Sequence, residues 1–267
     1  MLAILEAADY NGSIPRLGGM ARPQGVFIGA ESHWAFAGVS GSLSEGRSGT
    51  RLRVLSGIPV LRGLLRLGMA LAPALARRQE GGRERPVFLL ALLVPIAFVF
   101  LPPLVSLILG LVTTVAFLLW LFRGRTLHLH GAEHRAIAAA ETRTLVATWN
   151  GEARPSRFAL RCGTNFAVFV LPCTYALQTW WPFQAAWYTP LLLALLALGL
   201  AMELWKAVHA GPARLARVLL LPGLTLQRLT TREPTLEETR VALRAVAAVL
   251  TAAAAEPVAE APAFVPA

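Results

Sequence analysis

Charged residues are scarce in this chain. Asp, Glu, Lys and Arg make up 15% of its 267 residues, whereas 55% are hydrophobic and the mean hydropathy is +0.56. Because soluble domains carry roughly 25% charged residues, this composition excludes a simple soluble globule. Cysteine is also rare, and the two present, Cys162 and Cys173, exclude a scaffold of several disulfides. We expect no structural disulfide between them.

Two long stretches, residues 86–122 and 162–202, have no charged residue at all. Each is much longer than the roughly 20 apolar residues that cross a bilayer once. The sequence therefore predicts an integral membrane protein whose partner is the lipid bilayer. The chain start has no basic region and carries Glu6 and Asp9, so no targeting signal is expected there.

Lysine is almost absent, since Lys206 is the single one, and the net charge of +10 comes from arginines, most of which flank the apolar stretches. No basic stripe is interleaved with aromatic residues, so we expect no nucleic-acid partner. Under the positive-inside rule, the flanking arginines place both ends of each stretch in the cytoplasm. Each stretch then forms a hairpin of two transmembrane helices, and both chain termini are cytoplasmic.

Proline marks the point where each hairpin turns. Pro102 and Pro103 remove two backbone donors near the middle of the first stretch, and Pro182 lies in an aromatic cluster in the second. Such aromatic clusters are typical of a membrane interface. One long helix per stretch is the alternative. Residues 87–101 span only about 22 Å as a helix, so this arm can also be re-entrant.

The remaining segments have short-range patterns. Strands are predicted where short β-like runs occur, at residues 26–28, 34–39, 52–54, 126–130 and 144–149, with a short helix at residues 132–141.

Two further helices are predicted outside the apolar stretches. Residues 58–76 have the pattern of an amphipathic helix, which lies either on the anionic membrane surface or against the sheet. Thr235 and Glu238 have the spacing of a capping box, which predicts a helix to about Ala254.

The predicted fold class is mainly α: about four transmembrane helices in two hairpins plus a small α+β cytoplasmic lobe. The segments, in order, are a β-rich segment, an amphipathic helix with linker, the first hairpin, a cytoplasmic segment, the second hairpin, a helical cytoplasmic region and a disordered tail: 1–56, 57–85, 86–122, 123–161, 162–205, 206–255 and 256–267.

Three of the five histidines fall between His128 and His134. His130, Glu133 and His134 fit H-x-x-E-H, the inverted zinc motif. On a helix, histidines at i and i+4 share a face and can hold one metal ion, while the carboxylate activates water. The motif therefore predicts a divalent metal, zinc first, with Glu133 as the catalytic residue. The alternative is a polar cluster with a structural role.

A catalytic zinc site usually has three protein ligands and one open position. The candidates for the third ligand are a residue two helical turns further on, an acid at the inner end of the last apolar segment, a cysteine and a nearby histidine: Glu141, Glu203, Cys162 and His128. The sequence does not choose among them. Glu203 can equally pair with a neighbouring cation, since buried acids near membranes are either paired or functional.

Several short motifs occur in an order that resembles the YqhQ family of bacterial membrane proteins of unknown function, sometimes labelled predicted metal-dependent enzymes. The motifs are Gly18-Gly19, Gly25-Val26, the run 58–63 (IPVLRG), the run 130–135 (HGAEHR), the run 161–164 (RCGT) and the run 226–234 (LQRLTTREP). The resemblance covers roughly residues 16–250. It implies a protein of the bacterial cytoplasmic membrane, with His130, Glu133, His134 and Cys162 among the signature positions.

The chain departs from this family pattern at Gln24, where the family has Glu. If that Glu were a ligand or base in relatives, Gln24 has lost its charge and its ability to accept a proton. Two functions stay open: a membrane metal-dependent hydrolase, and a noncatalytic scaffold or assembly factor that recruits cytoplasmic protein partners. A transporter ranks below both, because the apolar stretches hold almost no ionisable group.

Overall fold

The computed structural model describes residues 1–10, 14–30, 32–47, 57–75, 85–183 and 186–255. The predicted strand at 52–54 and the predicted tail at 256–267 lie outside these residues. The elements, in chain order, are α1 (Leu2–Tyr10), β1 (Gly18–Arg22), β2 (Gly25–Gly29), β3 (His33–Gly38), β4 (Leu43–Arg47), α2 (Pro59–Leu75), α3 (Arg85–Ala97), α4 (Pro103–Leu121), α5 (Arg125–Glu141), α6 (Leu145–Asn150), α7 (Ala167–Thr179), α8 (Thr189–Ala210), α9 (Ala213–Leu219), α10 (Leu221–Thr230) and α11 (Leu236–Ala254).

The chain divides into two compact units. The first comprises residues 1–50, 124–157 and 232–267, and the second comprises residues 51–123 and 158–231. The described residues are thus mainly helical, with one small antiparallel sheet in the first unit.

The first unit is built on this sheet, which has the strand order β1-β2-β3-β4. Its buried residues, which include Val26, Ile28 and Ala35, form one core with apolar residues of α5 and α11. The helix α11 contacts β2, β3 and α5, and α5 contacts β1. The sheet therefore has a face covered by helices, as antiparallel sheets commonly do.

Two predicted strands are confirmed and two are wrong. Strands β2 and β3 occupy the predicted positions, but residues 126–130 and 144–149 are helical. The run Leu127-His-Leu-His alternates like a strand, yet the fully buried side chains Thr126, Leu129 and Ala136 follow a helical period. Over so few residues the two periods were indistinguishable.

The start of α6 depends on a distant residue. The carboxylate of Asp9, at the end of α1, accepts hydrogen bonds from the backbone N–H groups of Leu145 and Val146, each at 3.0 Å. This satisfies donors that a helix N-terminus otherwise leaves unpaired. Arg143, which has a positive φ of 55°, donates to the carbonyl of Ala8 at 2.9 Å. A local sequence pattern does not show such a cap.

The second unit contains the apolar helices. In the first apolar stretch the chain breaks at Pro102, and in the second it breaks between Thr179 and Thr189, so each stretch holds two helices rather than one. Pro102 precedes α4, where a missing backbone donor costs nothing. The predicted breaks are therefore confirmed.

The number of predicted transmembrane helices is corrected. Among the described residues, two helices are long and apolar enough to cross a membrane, α4 and α8. The other two arms, α3 and α7, have 13 residues each. At 1.5 Å per residue they span about 20 Å, well short of a hydrocarbon core of about 30 Å. The structure thus has two candidate spans where four were predicted.

The predicted amphipathic helix is present as α2, and it packs on α8. The two helices meet at Gly63 and Gly199. A Cβ atom on Gly63 would lie 2.5 Å from the carbonyl oxygen of Gly199, and one on Gly199 would collide with Val60. Close approach of two backbones through small residues is how apolar helices associate in lipid.

The capping box at the start of α11 is confirmed. The Thr235 hydroxyl accepts from the backbone N–H of Glu238 at 3.2 Å, and the Glu238 carboxylate accepts from the backbone N–H of Thr235 at 2.9 Å. Both bonds lie within four residues, so the sequence determines them locally.

Replacement of this cap gives a stability prediction. We expect Thr235→Ala to lower the free energy of unfolding by about 1 kcal/mol, because it leaves helix donors unpaired. Thr251→Ala, in the last turns of the same helix, should cost less, since its hydroxyl donates only to the carbonyl of Ala247. Thermal unfolding in detergent measures both. Equal losses in the two variants would contradict the capping role.

Candidate metal centre

The helix α5 carries an unusual set of buried polar side chains. His130, Glu133, His134 and Arg135 are between 2% and 6% exposed. His130, Glu133 and His134 lie at i, i+3 and i+4 and so share one side of α5, whereas Arg135 points to a different side of this helix, which is buried on most of its surface. Buried polar and charged groups are costly unless they are paired, so each of these side chains requires a specific partner.

Of the two ring nitrogens of His134, one has a hydrogen-bond partner among the described residues and the other has none. Its Nδ1 lies 2.7 Å from the carbonyl oxygen of Arg157, and since a carbonyl can only accept, Nδ1 carries the proton. Its Nε2 is buried and has no hydrogen-bond partner among the described residues. This tautomer leaves a lone pair on Nε2, the usual state of a histidine that binds a metal while a carbonyl holds its other nitrogen.

His130 lies beside His134. Their ring centroids are 4.3 Å apart in an edge-to-face arrangement, and one ligand nitrogen of each lies within 4.8 Å of the other. Both residues belong to α5 in the first unit. The pair therefore supplies two imidazole ligands at the i, i+4 spacing that metal sites on helices use.

Glu133 is a buried carboxyl next to these histidines. Burial raises its pKa to about 7, against the opposing influence of His134 and a hydrogen bond from the backbone of Ala21. A carboxyl with this pKa is divided between its protonated and ionised forms near neutral pH. Such a group can both accept and return a proton, as a general acid–base catalyst must.

Gly19, on strand β1, makes room for Glu133. A Cβ atom on Gly19 would lie 2.8 Å from both Cγ and Oε1 of Glu133 and 2.8 Å from the carbonyl oxygen of Phe27. Two of these obstacles belong to the Glu133 side chain and one to backbone, so the position admits no side chain without displacement.

Glu233 ties the segment before α11 to the surroundings of the histidines. Its carboxylate accepts from Arg135 at 2.6 Å and from Arg157 at 3.3 Å. The hydrogen bond from Arg135 holds the pKa of Glu233 below its ordinary value. Arg135 also donates to the carbonyl of Pro155 at 3.1 Å. Because Arg157 provides the carbonyl that orients His134, this ionic network supports the tautomer of His134.

The proposed third ligands occupy different places. Glu141 is exposed at the last residue of α5, about 10 Å along the helix from His134. His128 is partly exposed, and its Nδ1 lies 2.9 Å from the carbonyl oxygen of Glu233. The structure does not bring these two side chains into the buried group with His130 and His134.

Glu203 and Cys162 belong to the second unit. Both carboxylate oxygens of Glu203 accept hydrogen bonds from Arg62, one of them at 2.9 Å, so this acid is ion-paired. Cys162 is buried, and its Sγ lies 3.1 Å from the hydroxyl oxygen of Thr164. Neither Cys162 nor Cys173 forms a disulfide. Within the first unit, the buried side chains of His130 and His134 could hold a metal ion together.

Some polar residues of interest were not found by sequence reasoning. Asn165 is fully buried, and its side-chain oxygen accepts a hydrogen bond at 3.1 Å from the side-chain nitrogen of the equally buried Gln227. The side chains of both donate to backbone carbonyls at Ala159 or Leu160. Gln24, where the chain departs from the family pattern, lies in the turn between β1 and β2, and its side-chain oxygen is buried with no partner within the described chain. The buried contact between Asn165 and Gln227 joins distant parts of the chain, so no local pattern indicates it.

The contact at Gly19 gives a mutational prediction. We expect Gly19→Ala to lower the free energy of unfolding by about 1–3 kcal/mol, because the new methyl group overlaps Glu133 and backbone. Gly18→Ala is a matched control, since a Cβ atom there meets nothing within 4 Å. Thermal unfolding of both variants in detergent tests this. Similar midpoints for the two variants would contradict the close packing of Glu133.

The raised pKa of Glu133 gives a pH prediction for metal-free protein. Because its folded pKa of about 7 exceeds the ordinary 4.5, the stabilisation that the protonated form provides is full below pH 4.5 and declines as pH rises to about 7. The free energy of unfolding of the wild type, measured against Glu133→Gln in the presence of chelator, should fall by about 3 kcal/mol across this window. A constant difference would contradict the burial of an ionisable carboxyl.

Comparison with known proteins assigns the chain to a family without assigning an activity. No curated protein and no solved structure matches it. Residues 86–252, more than half of the chain, match the family DUF1385, described as proteins of unknown function. The match does not test the YqhQ name, which stays a prediction from the signature residues. The chain belongs to the DUF1385 family of proteins of unknown function.

Proposed function

We propose that this protein is a membrane-associated metal-dependent hydrolase in which His130 and His134 hold a divalent metal and Glu133 transfers protons. The observation that carries the proposal is the state of His134. Its Nδ1 donates to the carbonyl of Arg157, while its Nε2 is buried without a hydrogen-bond partner in the described chain. An unpaired buried acceptor costs about 1–3 kcal/mol, and a bound cation would remove that cost.

The donor set fits zinc. Imidazole nitrogen and cysteine sulfur are both ligands that zinc prefers. A divalent ion held here would act as a Lewis acid toward a carbonyl or phosphoryl group of a substrate. Glu133, a buried carboxyl beside His130 and His134, would then accept the proton of the attacking water and deliver it to the leaving group.

Among the four candidates for a third ligand, Cys162 has the donor chemistry that suits zinc best. Two of the other candidates are less suited: the Glu203 carboxylate is already ion-paired with Arg62, and Glu141 is exposed at the end of α5. The thiol of Cys162 is buried, and a thiolate is the softest ligand among the four candidates.

The two apolar helices α4 and α8 support membrane association. We propose the bacterial cytoplasmic membrane, with both termini and the histidines on the cytoplasmic side, because arginines flank both apolar stretches. This topology requires the short helices α3 and α7 to cross as well, through a locally thinned bilayer. A noncatalytic scaffold with cytoplasmic protein partners is the second candidate function. The ionic network of Arg135, Glu233 and Arg157 favours it, since this network gives the polar cluster a structural role without any metal.

Metal analysis distinguishes the two functions. We expect the detergent-purified protein, reconstituted with zinc, to hold about one ion per chain by mass spectrometry. His134→Ala should lose it, because the variant lacks the open Nε2 ligand. His209→Ala is the control, since that ring lies in the second unit and is bonded to the carbonyls of Trp205 and Leu160. Metal-free wild-type protein after reconstitution with zinc, manganese and iron would overturn the metalloenzyme proposal.

Two variants extend this experiment to the chemistry. Glu133→Gln should retain the metal and lose hydrolysis of a panel of peptides and lipid esters, because its amide cannot accept a proton. In cobalt-substituted protein, a thiolate-to-metal charge-transfer band should be present and should disappear in Cys162→Ser. A cobalt spectrum without that band would rule out Cys162 as a ligand, and retained hydrolysis in Glu133→Gln would overturn the role of Glu133.

A further inference from the structure

Helix α9 of the second unit exposes apolar side chains. Leu215, Val218 and Leu219 are 52%, 62% and 42% exposed. At 100° per residue these three side chains occupy one side of the helix, while the buried Ala216 and Leu220 lie together on an adjacent side. Leu221, at the start of α10, adds another exposed apolar group. The exposed side of α9 is thus more apolar than a solvated helix surface normally is.

Arginines lie beside this apolar side. Arg214 and Arg217 are exposed and are spaced by three residues, so they share the strip next to Val218. The chain has no acidic residue from 204 to 232. The helix therefore combines an apolar face with positive charge that no acidic residue nearby in the sequence opposes, the combination that lies in the plane of a membrane interface.

The position of α9 along the chain agrees with this. The candidate membrane span α8 ends at Ala210, and α9 begins at Ala213 and contacts α8. Gly211 and Pro212 between them end the first helix and allow a change of direction. An amphipathic helix that directly follows a membrane span begins at the bilayer surface, because the span itself delivers the chain there.

We propose that α9 is an interfacial helix that binds anionic lipids. Leu215, Val218 and Leu219 enter the boundary between headgroups and acyl chains, and Arg214 and Arg217 bind lipid phosphates. This proposal is independent of the metal centre, since it concerns a different unit of the chain. Charge complementarity favours an anionic lipid over a zwitterionic one, because each basic residue near the surface contributes about 1 kcal/mol toward anionic lipid.

Lipid selectivity of the full chain tests the proposal. The protein is reconstituted into phosphatidylcholine vesicles that contain a trace of spin-labelled phosphatidylglycerol or spin-labelled phosphatidylcholine, and the motionally restricted fraction of each label is measured by electron paramagnetic resonance. The wild type should restrict phosphatidylglycerol preferentially. Arg214→Gln/Arg217→Gln should lower that preference by about fivefold for each arginine removed.

The control double variant is Arg16→Gln/Arg47→Gln, which changes the net charge equally at exposed positions of the first unit. It should keep the lipid preference. Equal restriction of both lipids by the wild type, or an equal loss in the control, would overturn the proposal.

A second copy of the chain is the competing occupant of the same face. Val218→Asp in nanodiscs distinguishes the two, since it should weaken the preference for phosphatidylglycerol and leave the number of subunits unchanged. If Val218→Asp separates an oligomer and leaves lipid selectivity intact, the face is an interface between copies and the lipid proposal is wrong.

Discussion

The first unit is organised around the need to bury four ionisable side chains on one helix. His130, Glu133, His134 and Arg135 all lie in the interior, where an unpaired polar group is expensive. The helix α5 is therefore stable in this position only because other segments supply its partners. Strand β1 provides space at Gly19 and a backbone donor at Ala21, and residues 155–157 provide carbonyls.

This requirement explains why the first unit gathers three separate parts of the chain. Glu233 lies immediately before α11, and the capping box fixes where that helix begins. The same residue neutralises Arg135 and contacts Arg157, whose carbonyl sets the tautomer of His134. A local helix-start signal thus positions a carboxylate that the candidate metal centre needs. The same packing of these segments therefore produces both the ionic network and the orientation of His134, one of the proposed metal ligands.

The second unit is held together mainly by the packing of apolar helices on one another. Packing of α2 on α8 depends on the contact between Gly63 and Gly199, because side chains there would prevent the approach of the backbones. Arg62, next to this contact, pairs with Glu203 on α8. The ion pair holds the one acidic residue of α8, and it accounts for Glu203 without a metal. Asn165 and Gln227 satisfy each other and nearby carbonyls in the same way.

The sequence by itself determined the features that arise from neighbouring residues. These include the breaks at Pro102 and Pro182, the helix that follows Thr235, the strands β2 and β3, and the i, i+4 pair of His130 and His134, because proline geometry, caps and periodicity act over a few residues.

Only the tertiary structure decided what depends on distant partners. Asp9 caps α6 from far away in the chain, so residues 144–149 form a helix where a strand was predicted. The open Nε2 of His134 and the raised pKa of Glu133 result from a carbonyl and from burial that no local pattern shows. Hydropathy likewise did not predict that α3 and α7 have only 13 residues each, because an apolar stretch does not show where a helix within it ends.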